Sequence, residues 1–139
     1  VTDLYAHPIL EGDATSEWMG LHVELTEKDH AVVRMTVREE MVNGFGITHG
    51  GMVFAFADSC FALTCNDPDS DGSTITVASG VDVNFMAPTK AGQTLVAEGR
   101  LVSRAGRSGV YDISVTTEDG TLVAAFRGRS RTIPNPAAR

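Results

Sequence analysis

An α+β fold, one long central helix wrapped by a curved antiparallel β-sheet, is what this sequence predicts, and three observations predict it. From Met52 to Leu63 every residue except Asp58 and Ser59 is apolar or small. A helix over Gly51 to about Cys65 is therefore hydrophobic almost all round and must be buried on most sides. Strand-like alternation dominates the rest of the chain, and 139 residues hold one core and little more. One sheet covers one side of such a helix, so its remaining side is expected to be closed by a second subunit. A single domain over residues 1–139 follows, with its core at about 15–133.

Each element has its own local signal. A short helix near Asp13 to Met19 caps an edge. Leu21 to Leu25, the turn Glu27-Lys28-Asp29, and the alternation of Val33, Met35 and Val37 with Arg34, Thr36 and Arg38 read as a hairpin. The glycine-rich run from Asn43 to Gly51 leads into the long helix. Ile75, Val77, Val81, Val83 and Phe85 share one parity, broken only by Ser79, and predict one strand with a single apolar face that stops before Pro88. Segments near Thr94 to Ser103, Ser108 to Glu118 and Thr121 to Thr132 are separated by Ala105-Gly106-Arg107 and Asp119-Gly120, which predicts an antiparallel meander. The tail Pro134 to Arg139 reads as frayed.

Composition narrows the function classes. With 42% hydrophobic and 21% charged residues the chain is neither disordered nor fibrous. Its longest apolar stretch, Met52 to Ala57, is far short of a membrane span, and Val1 to Leu10 carries acid and Pro where a secretory signal would be basic and apolar. A soluble, cytoplasmic protein with no membrane partner is expected. Cys60 and Cys65 are too few for a disulfide framework and lack zinc spacing, so they read as buried thiols. Residues 1–99 hold 4 basic and 15 acidic side chains, net −11, and residues 100–139 hold 7 and 3, net +4. The whole repels nucleic acid, while the C-terminal part suits a small anion.

Asp58 carries the most chemical information. An ionised carboxylate in an apolar helix costs several kcal/mol unless it is paired, and no Lys or Arg lies within a helical turn of it. A nucleophile or general base in a dry cleft explains its presence. Upstream, Gly50 and Gly51 expose backbone N–H groups at the helix start, where an oxyanion is stabilised and a carbonyl can approach closely. Asn43 and His49 add polar groups at the same end. Gly50 and Asp58 are eight residues apart, about 12 Å along a helix at 1.5 Å per residue. Donor and nucleophile serving one carbonyl should lie within roughly 6 Å of each other, so one chain cannot supply both. Two antiparallel helices of a dimer can.

At these residues the sequence resembles the hotdog-fold acyl-CoA thioesterases of the phenylacetate-degradation (PaaI) group. The resemblance rests on the segment from Asn43 to Asp58, with its His49-Gly50-Gly51 and Asp58, and is supported by Asp82-Val83-Asn84-Phe85-Met86-Ala87-Pro88 and Gly109-Val110-Tyr111-Asp112. It extends over roughly residues 15 to 133. It implies a hotdog fold and hydrolysis of a thioester, with aryl or hydroxyaryl-acetyl-CoA as substrate and a role in phenylacetate catabolism. It further implies Asp58 as nucleophile or general base, Gly50 as oxyanion donor, and His49 and Asn43 as orienting groups, with Thr64 or Ser59 assisting. Asn84 and Phe85 would contact substrate, and Arg104, Gly106, Arg107 and Ser108 would receive the CoA phosphates. No metal or other cofactor is implied, CoA being part of the substrate, and the assembly would be a homodimer or a homotetramer built from dimers.

Arg127, Arg129 and Arg131 project at period two from one strand and read as a solvated face paired with acids. Phe45, Met52, Phe54 and Phe61, on or beside the helix, are candidates for an apolar acyl pocket. A hotdog hydratase would need an acid/base histidine, and of His7, His22, His30 and His49 none follows Asp58. A non-catalytic acyl-CoA-binding protein is the other alternative, distinguished by absence of turnover.

Overall fold

The structure, a computed structural model, describes residues 7–138, so residues 1–6 of the expected domain lie outside it, as does Arg139. It contains two α-helices, α1 (Ala14–Met19) and α2 (Gly50–Cys65), and six strands: β1 (His22–Glu27), β2 (His30–Thr36), β3 (Thr74–Phe85), β4 (Thr94–Ala105), β5 (Ser108–Thr117) and β6 (Leu122–Pro134). All pairings are antiparallel, and the order across the sheet is β1-β2-β4-β5-β6-β3. The expected hairpin and meander are both present. Gly106 and Gly120, at φ of 60° and 91°, make the meander turns in a backbone region that disfavours other residues.

Helix α2 crosses one face of this sheet and packs against β2, β4 and β5. Its inner residues, among them Phe56, Cys60, Phe61 and Leu63, are at most 1% exposed. Two sheet glycines let it come close. A Cβ on Gly99 would lie 2.1 Å from the Thr64 Oγ1, and one on Gly128 would lie 2.6 Å from the Phe61 ring. Asn66 ends the helix and stitches it to β3, donating from Nδ2 to the Thr76 carbonyl at 2.9 Å and accepting the Thr76 N–H on Oδ1 at 2.9 Å. The axial position of α2 on the sheet is thereby fixed.

Two expectations are corrected. Strand β3 does not present one apolar face, because a bulge at Ser79 places Ala78 opposite Ser130 but Gly80 opposite Arg129. The extra residue exchanges the two faces. Val81, Val83 and Phe85 lie opposite Gly128, Phe126 and Ala124 on the helix side, whereas Val77 lies opposite Arg131 on the outer side and is 37% exposed. The tail is not frayed from Pro134: β6 includes that residue, and Asn135 donates from its backbone to Ser73 at 3.0 Å and from its side chain to Gly72 at 2.9 Å.

Packing also begins earlier than residue 15. His7 and Leu10, 1% and 3% exposed, are the cap and the last residue of a 3-10 turn at Pro8–Leu10 that leads into α1. Asp13 caps α1, its carboxylate accepting from the Ser16 N–H at 3.1 Å and the Ser16 hydroxyl at 2.7 Å.

Candidate active site

The sheet leaves one stripe of α2 uncovered. Gly51 is exposed, and Ala55, Asp58 and Ala62 are half-buried along it at helical spacing. The Asp58 carboxylate has no hydrogen-bond or ion-pair partner among the described residues, and burial alone pushes its pKa above the ordinary carboxylate value. It lines a cavity of about 220 Å³ together with Ile9, Leu10, Thr15 and Ser59.

The other end of the helix holds the oxyanion candidate. The Gly50 N–H has no acceptor among the described residues. The Gly51 N–H does not share this freedom: it donates to His49 Nδ1 at 2.9 Å, which corrects the expectation that both glycines expose donors. Because Nδ1 accepts, the proton of the neutral imidazole sits on Nε2 and remains available. Asn43 is likewise half engaged, its Oδ1 accepting from the Phe45 N–H at 2.9 Å and the Ile47 N–H at 3.4 Å. Its Nδ2 is left as a donor. Asn43, Gly50, Phe85, Met86 and Pro88 line one opening of about 430 Å³, with the Phe85 ring against Gly50.

Gly50 and Asp58 are thus on one continuous helix, about 12 Å apart along its axis, and they open into different cavities. Within one chain the structure brings Gly50, Asn43 and Phe85 together and His49 beside them, and holds Asp58 apart.

Asn84 is not brought to this site. It lies on the outer face of β3, in a depression with Asp82, Asp112 and Arg127, because neighbours along a strand point to opposite faces. Thr64 is also removed from the chemistry: its hydroxyl donates to the Cys60 carbonyl at 2.7 Å and is buried against Gly99. Ser59, next to Asp58 in the same cavity, remains. Phe61 is a core residue packed on Tyr111 and Phe126, while Phe45 is 90% exposed.

Arg104, Gly106, Arg107 and Ser108 do come together, around a cavity of about 200 Å³ at the C-terminal end of α2. Arg104 is committed to Asp29 and to the Tyr111 hydroxyl, which it reaches at 3.0 Å. The Arg107 guanidinium has no ion-pair partner among the described residues. Arg127 behaves as a solvated strand residue paired with acid, donating to both carboxylate oxygens of Asp112 at 2.7 and 2.9 Å. Among the described residues no group of three or more His, Cys, Asp or Glu side chains is placed to hold a metal ion, and no helix is long and apolar enough to cross a membrane.

Comparison with known families decides what this arrangement belongs to. The thioesterase superfamily pattern matches residues 45–124, the stretch that contains α2 and most of the sheet. The chain belongs to the thioesterase superfamily. It is 38% identical over 128 residues to the acyl-coenzyme A thioesterase PaaI of Escherichia coli, covering 92% of this chain and 89% of that protein. Among solved structures, that of the E. coli PaaI protein from the phenylacetic acid degradation operon superposes with a TM-score of 0.86 at 36% identity, covering 94% of this chain and 91% of that one. A mutant of the phenylacetic acid degradation protein PaaI from Thermus thermophilus gives 0.78 at 33%, covering 86% and 98%. The fold is the hotdog fold, and this thioesterase is a thioester hydrolase.

Part of the N-terminal wall of the Asp58 cavity, Asp13, Thr15 and Ser16, belongs to the short helix that the sequence signalled. Its other part, Ile9 and Leu10, was not legible, because an apolar pair is too short to carry a period.

Proposed function

We propose that this thioesterase hydrolyses aryl-type acyl-CoA thioesters, phenylacetyl-CoA or hydroxyphenylacetyl-CoA, in a homodimer or a tetramer of two such dimers, and serves phenylacetate breakdown. The observation that carries the proposal is the Asp58 carboxylate, without a partner among the described residues, in a small cavity on the uncovered side of α2. Similarity to PaaI supports both the CoA thioester and the aryl acyl group.

In the reaction, a carboxylate oxygen of Asp58 attacks the thioester carbonyl carbon, the C–S bond breaks, and the CoA thiolate leaves. Water then hydrolyses the resulting anhydride to the free acid and restores Asp58. Alternatively, Asp58 takes a proton from a water whose oxygen attacks the same carbon, so that acid and CoA form in one pass. Both routes place negative charge on the carbonyl oxygen, where the free Gly50 N–H of the partner subunit's helix donates. Asn43 Nδ2 and His49 Nε2 are further donors at that end, and Phe85 covers it. Arg107, Ser108 and the Gly106 turn receive CoA phosphate, with Arg104 held beside them by Asp29. Only water is required as co-reactant.

Thiol release measured over a matched panel tests the substrate assignment. Phenylacetyl-CoA and hydroxyphenylacetyl-CoA should show the highest kcat/KM and palmitoyl-CoA a low one. A preference for palmitoyl-CoA would overturn the aryl assignment.

A further inference from the structure

The N-terminal segment is fastened across the Asp58 cavity at several points. His7, 1% exposed, donates from Nε2 to the Asn66 carbonyl at 2.8 Å and accepts the Ile9 N–H on Nδ1 at 3.2 Å. It thereby clasps the segment to the residue that ends α2. Leu10, 3% exposed, inserts into the core, and the Asp13 cap locks the start of α1. One turn further along, the Arg38 guanidinium lies 4.6 Å over the Trp18 ring and secures the other end of α1.

Between these anchors the chain forms one wall of the cavity that holds Asp58. Its lining includes Ile9 and Thr15 from the segment, facing Asp58 and Ala62 of α2. Its volume of about 220 Å³ compares with about 150 Å³ for an apolar cavity that accepts benzene. That volume admits one ring with a short linker, between the apolar Ile9, Leu10 and Ala62 and a polar wall of Asp13, Thr15, Ser16 and Ser59. A longer acyl chain would have to displace the turn at Pro8–Leu10, which Leu10 and His7 hold in place.

We infer that this clasped segment is the acyl-length stop of the enzyme and that Ile9 is the specificity-determining residue that sets the limit. The inference rests on the proposed reading that Asp58 acts on the acyl carbonyl. Ile9 is 36% exposed, so replacing it leaves the buried core intact.

The test compares wild type, Ile9→Ala and Ile9→Phe on phenylacetyl-CoA and on a ladder of straight-chain acyl-CoA thioesters from four to twelve carbons. In Ile9→Ala, kcat/KM for the first chains beyond the wild-type limit should rise about tenfold or more, carried mainly by KM, since one methylene in a fitted pocket is worth about that factor. In Ile9→Phe the limit should move to shorter chains. An unchanged ladder in both variants, or a uniform loss for every substrate, overturns the length-stop role while leaving the thioester chemistry standing. Wild-type protein inactive on every thioester in the panel would instead overturn the reading on which the inference rests.

Discussion

At the level of single residues, the proposed chemistry depends on a carboxylate that is half withdrawn from water with no partner among the described residues. Its folded-state pKa is raised above the ordinary value of 3.8, by burial. Between the unfolded and folded values the folded chain therefore binds more protons, and stability falls as pH rises through that window and stays lower at neutral pH. Asp58→Asn removes this cost. The variant should resist urea better than wild type at pH 7, lose that advantage in acid below the ordinary carboxylate value, and hydrolyse thioesters about a hundredfold or more slowly. Urea melts at both pH values with thiol-release rates check it, and a variant with neither gain in stability nor loss of rate would remove Asp58 from the mechanism. Residue types were enough to single out Asp58 and Gly50, because an acid in an apolar run and glycines at a helix start are visible in one dimension. Hydrogen-bond partners were not. That Gly51 is capped by His49, and that Thr64 is tied to Cys60, depends on rotamers and close approach that spacing does not encode.

Among the elements, the seat of α2 depends on the missing side chains of the sheet. Gly128 accepts the Phe61 ring where a Cβ would meet it at 2.6 Å, and a rigid ring inside a packed core cannot yield. Gly128→Ala should lower unfolding stability by about 1–3 kcal/mol, and Phe61→Leu in the same chain should return part of that loss. Urea melts of the two single variants and the double variant measure this. Additive losses would show that the notch and the ring are independent. The meander and its turns were readable because Gly106 and Asp119-Gly120 mark reversals and the alternation between them is regular, whereas the pairing of β2 with β4 and of β3 with β6 joins segments far apart in the chain and carries no local signal. The face exchange in β3 was hidden as well. Ile75 to Phe85 alternates without a break in phase, and a bulge at Ser79 changes which way the residues point without changing the pattern of letters.

In the molecule as a whole, the proposed site is incomplete within one chain, since Gly50 and Asp58 open into different cavities. Among the described residues the stripe of α2 around Asp58 is uncovered by the sheet, β3 is paired on one side only, and Phe85 and Met86, 54% and 61% exposed, stand beside the free Gly50 N–H. A two-fold axis that sets two α2 helices antiparallel would close the stripe and make two equivalent sites. Gly50 offers a clean way to remove one half of each site. It is the first residue of α2, where proline is favoured, and His49 before it has φ −60° and ψ 132°, the extended geometry that a following proline requires. Gly50→Pro therefore deletes an N–H that has no partner among the described residues and preserves the helix start, and its expected loss is about 10²–10³ in kcat. The decisive test of the shared site is to unfold and refold Gly50→Pro and Asp58→Asn chains together in equal amounts, and to compare the thiol-release rate with that of each variant refolded alone. If each site takes Gly50 from one subunit and Asp58 from the other, half of the dimers are mixed and each mixed dimer regains one intact site. The mixture should then recover about a quarter of wild-type activity. A mixture no more active than the two separate variants, with mixed dimers shown to have formed, would contradict the shared site.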